Sequence, residues 1–398
     1  MSRPGVNETS SIVALPLVES DEERAIRDAV RTCALRYGHD RFIDAARRGE
    51  SPTELWDSLA AGGYLGVNIP EAYGGGGLGL RELCMVSEEL AAAGCPLLLL
   101  LVSPAIAGTI LTRHGSPIQR ERWLPGIGAG TSKIVFAITE ADAGSNTHRI
   151  ATTARRDGED WVLNGAKTFI SGVNEADAVL VVARSGASAP GAPGQLSLFL
   201  VDAGAPGLQR TVIPTALDAP ELQFTLFFDN VRVPGDRLVG AEGDGLRIGF
   251  DGLNPERLIA ASICTGTGRY ALERACTYAR ERQVWSAPIG SHQGIAHPLA
   301  EAKMALELAR HTMQRAAALH DAGLPAGEAC NMAKFAAAEA GMKCVDQAIQ
   351  THGGNGIALE YGLTSLWWTV RLMAIAPVSR EMILNYVAEH SLGLPRSY

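Results

Sequence analysis

Two stretches of the chain combine residue types that can do chemistry. The first, residues 135–171, reads VFAITEADAGSNTHRIATTARRDGEDWVLNGAKTFIS. Its apolar start, containing Phe136, Ile138 and Thr139, enters a turn built from Ala143, Gly144 and Ser145. Glycine there lets a ligand approach the backbone closely, and Ser145 adds a hydroxyl. Two turn signals follow, Asp157-Gly158 and Asn164-Gly165. They predict a hairpin that brings Phe169, Ile170 and Ser171 back beside the FAITE run. The product is a ledge with an aromatic face, a hydroxyl and unused backbone N–H groups, suited to a flat ring that accepts and donates hydrogen bonds. The second stretch, residues 252–258, reads GLNPERL. Asn254 reads as a helix cap, Pro255 as the first helical residue and Glu256 as a carboxylate in the first turn. Taken alone, such a carboxylate complements the helix dipole.

The elements that position these residues fall into three blocks. Residues 1–19 carry no periodicity and are expected to form a mobile leader. The faintly signal-like residues 12–18 contain Pro16, run into acidic residues and lack a small-residue cleavage site. Ser20 and Glu23 form a capping-box pattern, and Ile26, Val30 and Tyr37 follow at helical spacing. A second helix is predicted from Ser51, with Pro52 at its first position and Glu54 closing the box, and a third over residues 80–93. Residues 95–102, five consecutive leucines among them, require burial as a core helix or as the wall of an apolar pocket. The period then switches to two: residues 178–183, 196–201 and 222–233 read as strands of a small antiparallel domain. From Gly245 the helical period returns and continues almost to the end. The fold class is therefore α+β, with an N-terminal helical domain over 20–132, a middle β domain over 133–242 and a C-terminal helical bundle over 243–398.

Composition narrows the function. A chain of 398 residues with net charge −8 has room for two or three cores and no clustered basic run, which excludes a nucleic-acid surface. Its longest apolar run is too short to span a membrane. Seven scattered cysteines without a C-x-x-C spacing point to reduced thiols in a cytoplasm. His292 and His297 lack a matching carboxylate or cysteine, so no metal is expected. Gly266, Gly268 and Ala271 match a dinucleotide-binding pattern, but without a strand–helix–strand context they read as a helix–helix contact. His148 and His352 read as satisfied loop histidines.

The runs ITEADAGSN and KTFIS resemble, in order and spacing, signatures of the acyl-CoA dehydrogenase family, and the resemblance covers nearly all of the chain after the leader. Asp142, Asn146 and Phe169 depart from the residues common there, glycine, aspartate and tryptophan. The family's fold, a β domain between two helical domains, agrees with the three blocks. The resemblance implies FAD, with Phe136, Ile138, Thr139, Gly144, Ser145, Phe169 and Ser171 around its ring. It implies that Ser145, Asn254 and Arg257 hold the acyl-CoA. GLNPERL resembles the E-R-L form of isovaleryl- and long-chain-type members, whose glutamate removes the α-proton, which makes Glu256 the base. Most relatives carry the base in a Tyr-Glu-Gly-Thr-Ser motif near the C-terminus; here that run is IAPVSRE, residues 375–381, with no carboxylate at the matching slot. The slot falls on Ala376 or Pro377. The family uses the backbone N–H of this residue on the thioester carbonyl, and proline has none, so Ala376 is the expected oxyanion donor and Glu381 the substitute base.

Two further runs resemble cofactor sites that reach across a subunit boundary: RQVWSAPIGSHQ, with Arg282, Trp285 and Gln293, and QTHGGNG, with Gln350, Gly353 and Gly354. A guanidinium there suits pyrophosphate oxygens. The resemblance thus implies a homo-oligomer, dimer or tetramer, and an electron-transfer flavoprotein as electron acceptor. The rival readings are an acyl-CoA oxidase using oxygen and a non-catalytic acyl-CoA-binding subunit of a mixed oligomer.

Overall fold

In a computed structural model, the structure describes residues 18–186 and 195–396. The leader expected at 1–19 lies almost wholly outside them. The first helical layer contains α1 (Asp21–Tyr37), α2 (His39–Arg47), α3 (Thr53–Ala61) and α4 (Leu80–Ala92). The capping box closes as the sequence requires: Glu23 N–H donates to Ser20 Oγ at 3.1 Å and Ser20 N–H donates to Glu23 Oε2 at 2.7 Å. The box expected at the second helix does not form. Pro52 is the cap residue of α3, and Glu54 instead takes two donors from Arg41 of α2.

The leucine-rich run leads into a π-helical segment, Leu101–Gly108, that continues directly as α5 (Thr109–His114). All of Leu101–Gly108 is buried. Pro104 within it has no N–H to give to an ordinary α-helical ladder, and a wider turn accommodates such a gap. The segment is tied to its neighbours at Ser103 and Pro104. Asn68 Nδ2 donates to Pro104 O at 2.8 Å, and Ser103 Oγ accepts from Ile134 N–H at 3.2 Å. The last helix of the layer is α6 (Pro117–Gly128).

The middle layer is one sheet built from β1 (Ile134–Ala137), β2 (Thr153–Asp157), β3 (Asp160–Ser171), β4 (Ala178–Ser185), β5 (Gln195–Asp202), β6 (Leu208–Ile213), β7 (Gln223–Val233) and β8 (Leu238–Val239). Its order is β6-β7-β3-β2-β4-β5-β8, with β1 added on β4. The ladders are antiparallel except that β1 runs parallel to β4 and β2 meets β4 in parallel at Thr153↔Arg184. Only one of the two turn signals makes a turn. Asp157-Gly158 closes the β2–β3 hairpin, with Asp157 opposite Asp160. Asn164-Gly165 lies inside β3 as a bulge against β7, where Gly165 adopts φ 144° and a Cβ would sit 2.6 Å from Thr152 Cα. The strand β6 escaped the sequence reading because four of its six residues face solvent and no alternation marks it.

The C-terminal layer contains α7 (Gly245–Glu281), a small hairpin of β9 (Gln283–Val284) and β10 (Ala287–Pro288), then α8 (Gln293–Asp321), α9 (Gly327–His352), α10 (Leu363–Ile375) and α11 (Arg380–Tyr386). The α+β arrangement is as expected. At Gly266 of α7 a Cβ would lie 2.3 Å from Glu88 O of α4, so the G-x-G-x-x-A run is indeed a helix contact. No described helix is long and apolar enough to cross a membrane. All seven cysteines are free thiols.

Candidate active site

The ledge forms at the end of β3. Thr168 N–H donates to Thr139 O at 2.9 Å, which sets the KTFIS segment beside the end of the FAITE run. A second register shift against β7 falls between Lys167 and Ile170. Within it Phe169 takes φ 56°, a left-handed conformation that costs a bulky residue roughly 1–2 kcal/mol. The residue is 61% exposed, so packing within its own chain offsets little of that strain. A strained, outward-facing aromatic next to a hydroxyl fits a planar ligand. Ser171 Oγ donates to Gln223 Oε1 at 2.9 Å, which fixes the hydroxyl at the strand's end. Phe136 is buried, Ile138 and Thr139 are half-buried, and Gly144 and Ser145 are exposed with open space over Gly144.

The brace beneath the ledge was not read from the sequence. Lys167, fully buried, donates to Glu140 Oε1 at 2.8 Å and to Ile138 O at 3.0 Å. Glu140 also accepts from the N–H groups of Ala151 (2.7 Å) and Thr152 (3.0 Å). Burial drives the Lys167 ammonium down to about 8 against the pull of Glu140. The signal was present, since both charges sit inside otherwise strand-like runs of the two motifs.

Glu256 stands elsewhere than expected on its helix. The helix α7 begins at Gly245, so Asn254 is no cap and Pro255 lies in the interior. Proline there removes a helical hydrogen bond, a cost of about 3 kcal/mol that packing must offset. One turn before Glu256, Gly252 abuts the neighbouring helix: a Cβ would meet Ile110 Cδ1 at 2.8 Å and Ile106 Cγ2 at 3.0 Å. Two turns before it, Gly249 faces the Phe136 ring of β1. Gly249 and Gly252 lie on the same face of α7 as Glu256, and Glu256 is too far along the helix to serve its dipole.

The residue is half-buried, yet its Oε2 is shielded from water and has no hydrogen-bond partner. Burial raises its carboxyl to about 8, with Arg257 and Lys334 acting in the opposite sense. Neither cation is hydrogen-bonded to it. Arg257 Nη1 donates to Asn254 Oδ1 at 2.9 Å, its Nε is buried without a partner, and burial lowers its guanidinium. Lys334 of α9 donates to the carbonyls of Ala374 (3.2 Å) and Val378 (2.6 Å).

One expectation is corrected. The Ala376 N–H donates to Leu372 O at 2.8 Å and ends α10, so it does not stand free as an oxyanion donor. A helix that stops at residue 375 satisfies its last carbonyls with the next N–H, a claim on Ala376 that spacing does not reveal. Glu381, the substitute base, is exposed in the first turn of α11.

The remaining site residues gather at one end of the C-terminal bundle. Arg282 N–H donates to Tyr278 O at 2.8 Å, and Tyr278 stacks on His352 at 4.3 Å between ring centroids, directly before Gly353. Asn355 Nδ2 donates to the hydroxyls of Tyr278 (3.2 Å) and Tyr361 (3.1 Å). The two runs, some 70 residues apart, are thus brought together. Arg282, Trp285, Gln293, Gln350, Gly353 and Gly354 are all exposed. Trp285 is 93% exposed and sits at φ 61° in the β9–β10 turn, a position that glycine usually fills. Among the described residues, no hydrogen bond or ion pair joins this end to Phe136, Ser145, Phe169 or Ser171.

Comparison with known proteins matches the three layers separately. Residues 20–131 match "Acyl-CoA dehydrogenase, N-terminal domain", residues 135–231 the family's middle domain and residues 243–392 its C-terminal domain. The chain is 53% identical to acyl-CoA dehydrogenase FadE12 of Mycobacterium tuberculosis over 383 residues, 96% of this chain and 98% of that protein. The fold is similar to that of glutaryl-coenzyme A dehydrogenase solved with glutaryl-CoA, at 28% identity and TM-score 0.90 over 96% and 98% of the two chains. It is also similar, at 26% identity and TM-score 0.89 over 95% and 99%, to a chain solved in work on the electron transferring flavoprotein of Acidaminococcus fermentans.

Proposed function

Since the chain belongs to the acyl-CoA dehydrogenase family and is an FAD-dependent enzyme that introduces an α,β double bond into acyl-CoA thioesters, we propose that Glu256 is the base that removes the α-proton. The observation that carries this is the unpartnered Oε2, held in the middle of α7 and raised in basicity by burial to about 8. An α-proton of a thioester is weakly acidic, and a carboxylate matched to it must be more basic than one in water. The surroundings supply that match: Gly252 and Gly249 let α7 approach its neighbours, and Oε2 is buried away from water. Arg257 and Asn254, hydrogen-bonded to each other beside Glu256, are placed to orient the thioester.

FAD, when bound, accepts the β-hydride at its N5. The residues fit such a group. Phe169 offers a flat face, Ser171 a hydroxyl, and Gly144 and Ser145 an open turn, while the Glu140–Lys167 pair holds the ledge. Arg282, Trp285, Gln293, Gln350, Gly353 and Gly354 suit the pyrophosphate and adenosine end of the cofactor held by a second copy of the chain. Their exposure, together with the strained and solvent-facing Trp285, supports a homodimer or homotetramer in which the copies complete each other's sites. An electron-transfer flavoprotein as acceptor and a cytoplasmic location complete the reading.

The test is anaerobic bleaching of the flavin absorbance by a panel of acyl-CoA thioesters, wild type beside Glu256→Gln and Glu381→Gln. Bleaching by one thioester class in wild type and Glu381→Gln, lost in a Glu256→Gln protein that keeps its FAD, supports the assignment. Equal bleaching by Glu256→Gln contradicts it.

A further inference from the structure

Lys334 is a fully buried cation that neither motif contains, and nothing in the reaction described so far uses it. It is 1% exposed on α9, a helix packed along α7. An ammonium out of water requires compensation, and here two backbone carbonyls supply it, Ala374 O at the end of α10 and Val378 O beyond it. These carbonyls bracket the turn 375–378 that in most relatives holds the base. The turn lacks a carboxylate here, and Lys334 clamps it.

We propose that Lys334 is a positioning residue for the dehydrogenation: its ammonium clamps the turn after α10 and supplies, with Arg257, the positive charge that faces Glu256. The inference rests on Glu256 being the base. A fixed charge on the neighbouring helix favours the ionised carboxylate without hydrogen-bonding to it, so Oε2 stays open to a substrate proton. Lys334 has three N–H donors and the turn takes two of them, so the clamp leaves the charge in place and directs it. The other groups around the pair are consistent with this. Cys264 and Glu256 from α7 and Glu381 from α11 favour the charged lysine, while Arg257 from α7 and burial oppose it. Cys330 of α9 and Tyr386 of α11 face Arg257. Burial lowers the ammonium to about 8, against the pull of Cys264, Glu256 and Glu381.

The test measures the anaerobic flavin-reduction rate against pH, from 6 to 10, for FAD-loaded wild type, Lys334→Gln, Lys334→Arg and Glu256→Gln, using the thioester that bleaches the wild type. Lys334→Gln keeps a donor for a carbonyl and loses the charge; its profile is expected to move up by about one pH unit, so the rate at pH 7 falls by about tenfold and recovers in alkali. Lys334→Arg keeps the wild-type midpoint. The proposal is overturned if Lys334→Gln lowers the rate by one factor at every pH, if its profile superimposes on the wild type, or if it cannot be folded with FAD, which would make Lys334 a residue of the fold alone. Glu256→Gln separates the two readings: wild-type bleaching in that variant removes the base assignment whatever the lysine does.

Discussion

Glu88 and Glu256 lie on packed neighbouring helices, α4 and α7, each with a carboxylate oxygen shielded from water and each beside cations, yet their carboxyls end on opposite sides of the ordinary range. Burial pushes Glu88 up, but Arg310 and Arg27 bring it down to about 2. Its oxygens receive Arg27 Nη1 at 2.6 Å, Arg310 Nε at 2.6 Å and Arg310 Nη2 at 3.2 Å, while the adjacent Glu89 takes Arg27 and Arg269. Burial pushes Glu256 to about 8, and no donor reaches its Oε2 to reverse the shift. Arg257 is turned to Asn254 and Lys334 to the turn carbonyls. Desolvation is common to both sites, so completion of the hydrogen bonds separates a structural carboxylate from a basic one. The first cluster ties α1, α4, α7 and α8 into register, and the second keeps an oxygen available for a proton.

Four measurements can break or sharpen that contrast. The largest effect belongs to Glu256→Gln, which should slow flavin bleaching by roughly 10²–10⁴-fold with no loss of stability. Glu88→Gln should do the reverse, costing about 3–5 kcal/mol in denaturant unfolding because Arg27 and Arg310 lose their shared buried carboxylate; a cost under about 1 kcal/mol would mean the cluster is not structural. The pH dependence comes next. Only the ionised Glu256 takes a proton, so the wild-type rate should rise about tenfold per unit up to about pH 8 and level off above it. A profile flat from pH 6 upward would show an ordinary carboxylate.

The smallest effect tests a third carboxylate, Glu221. Its Oε1 accepts from Leu99 N–H at 2.9 Å, its Oε2 is buried and unpartnered, and burial raises the group to about 7. A folded value above the unfolded one gives stability that is complete below about pH 4.5 and lost as pH rises through about 7. Glu221→Gln can keep the bond to Leu99 and should flatten that decline, gaining on the order of 1 kcal/mol over wild type at pH 8. An unchanged difference between pH 5 and 8 would place a compensating partner at Oε2.

What the sequence made legible follows from periodicity and turn chemistry. The capping box at Ser20, the helix–strand–helix order and the ledge from the FAITE and KTFIS runs are local patterns, and each formed. Features set by tertiary contact were not legible. Pro255 looked like a helix start because a proline inside a helix is costly, and only the packing of Gly252 against Ile106 and Ile110 explains how α7 runs through it. Asn164-Gly165 looked like a turn, but the long partner strand β7 carries β3 past it as a bulge. The Ala376 N–H was claimed by the last turn of α10, which no count of residues reveals. Lys334 and Lys167 were overlooked because a lysine in a helix or strand normally faces water, and burial is a property of the fold.

The central claim is that Glu256 takes the α-proton, and hydrogen exchange reads that step alone. FAD-loaded enzyme would be incubated in D₂O with a 3-thia-acyl-CoA, which has no β-hydrogen to lose, and α-deuteration followed by mass spectrometry for wild type and Glu256→Gln. The account predicts exchange in wild type that rises through about pH 8 and none above background in Glu256→Gln. Exchange at the wild-type rate in Glu256→Gln would contradict it.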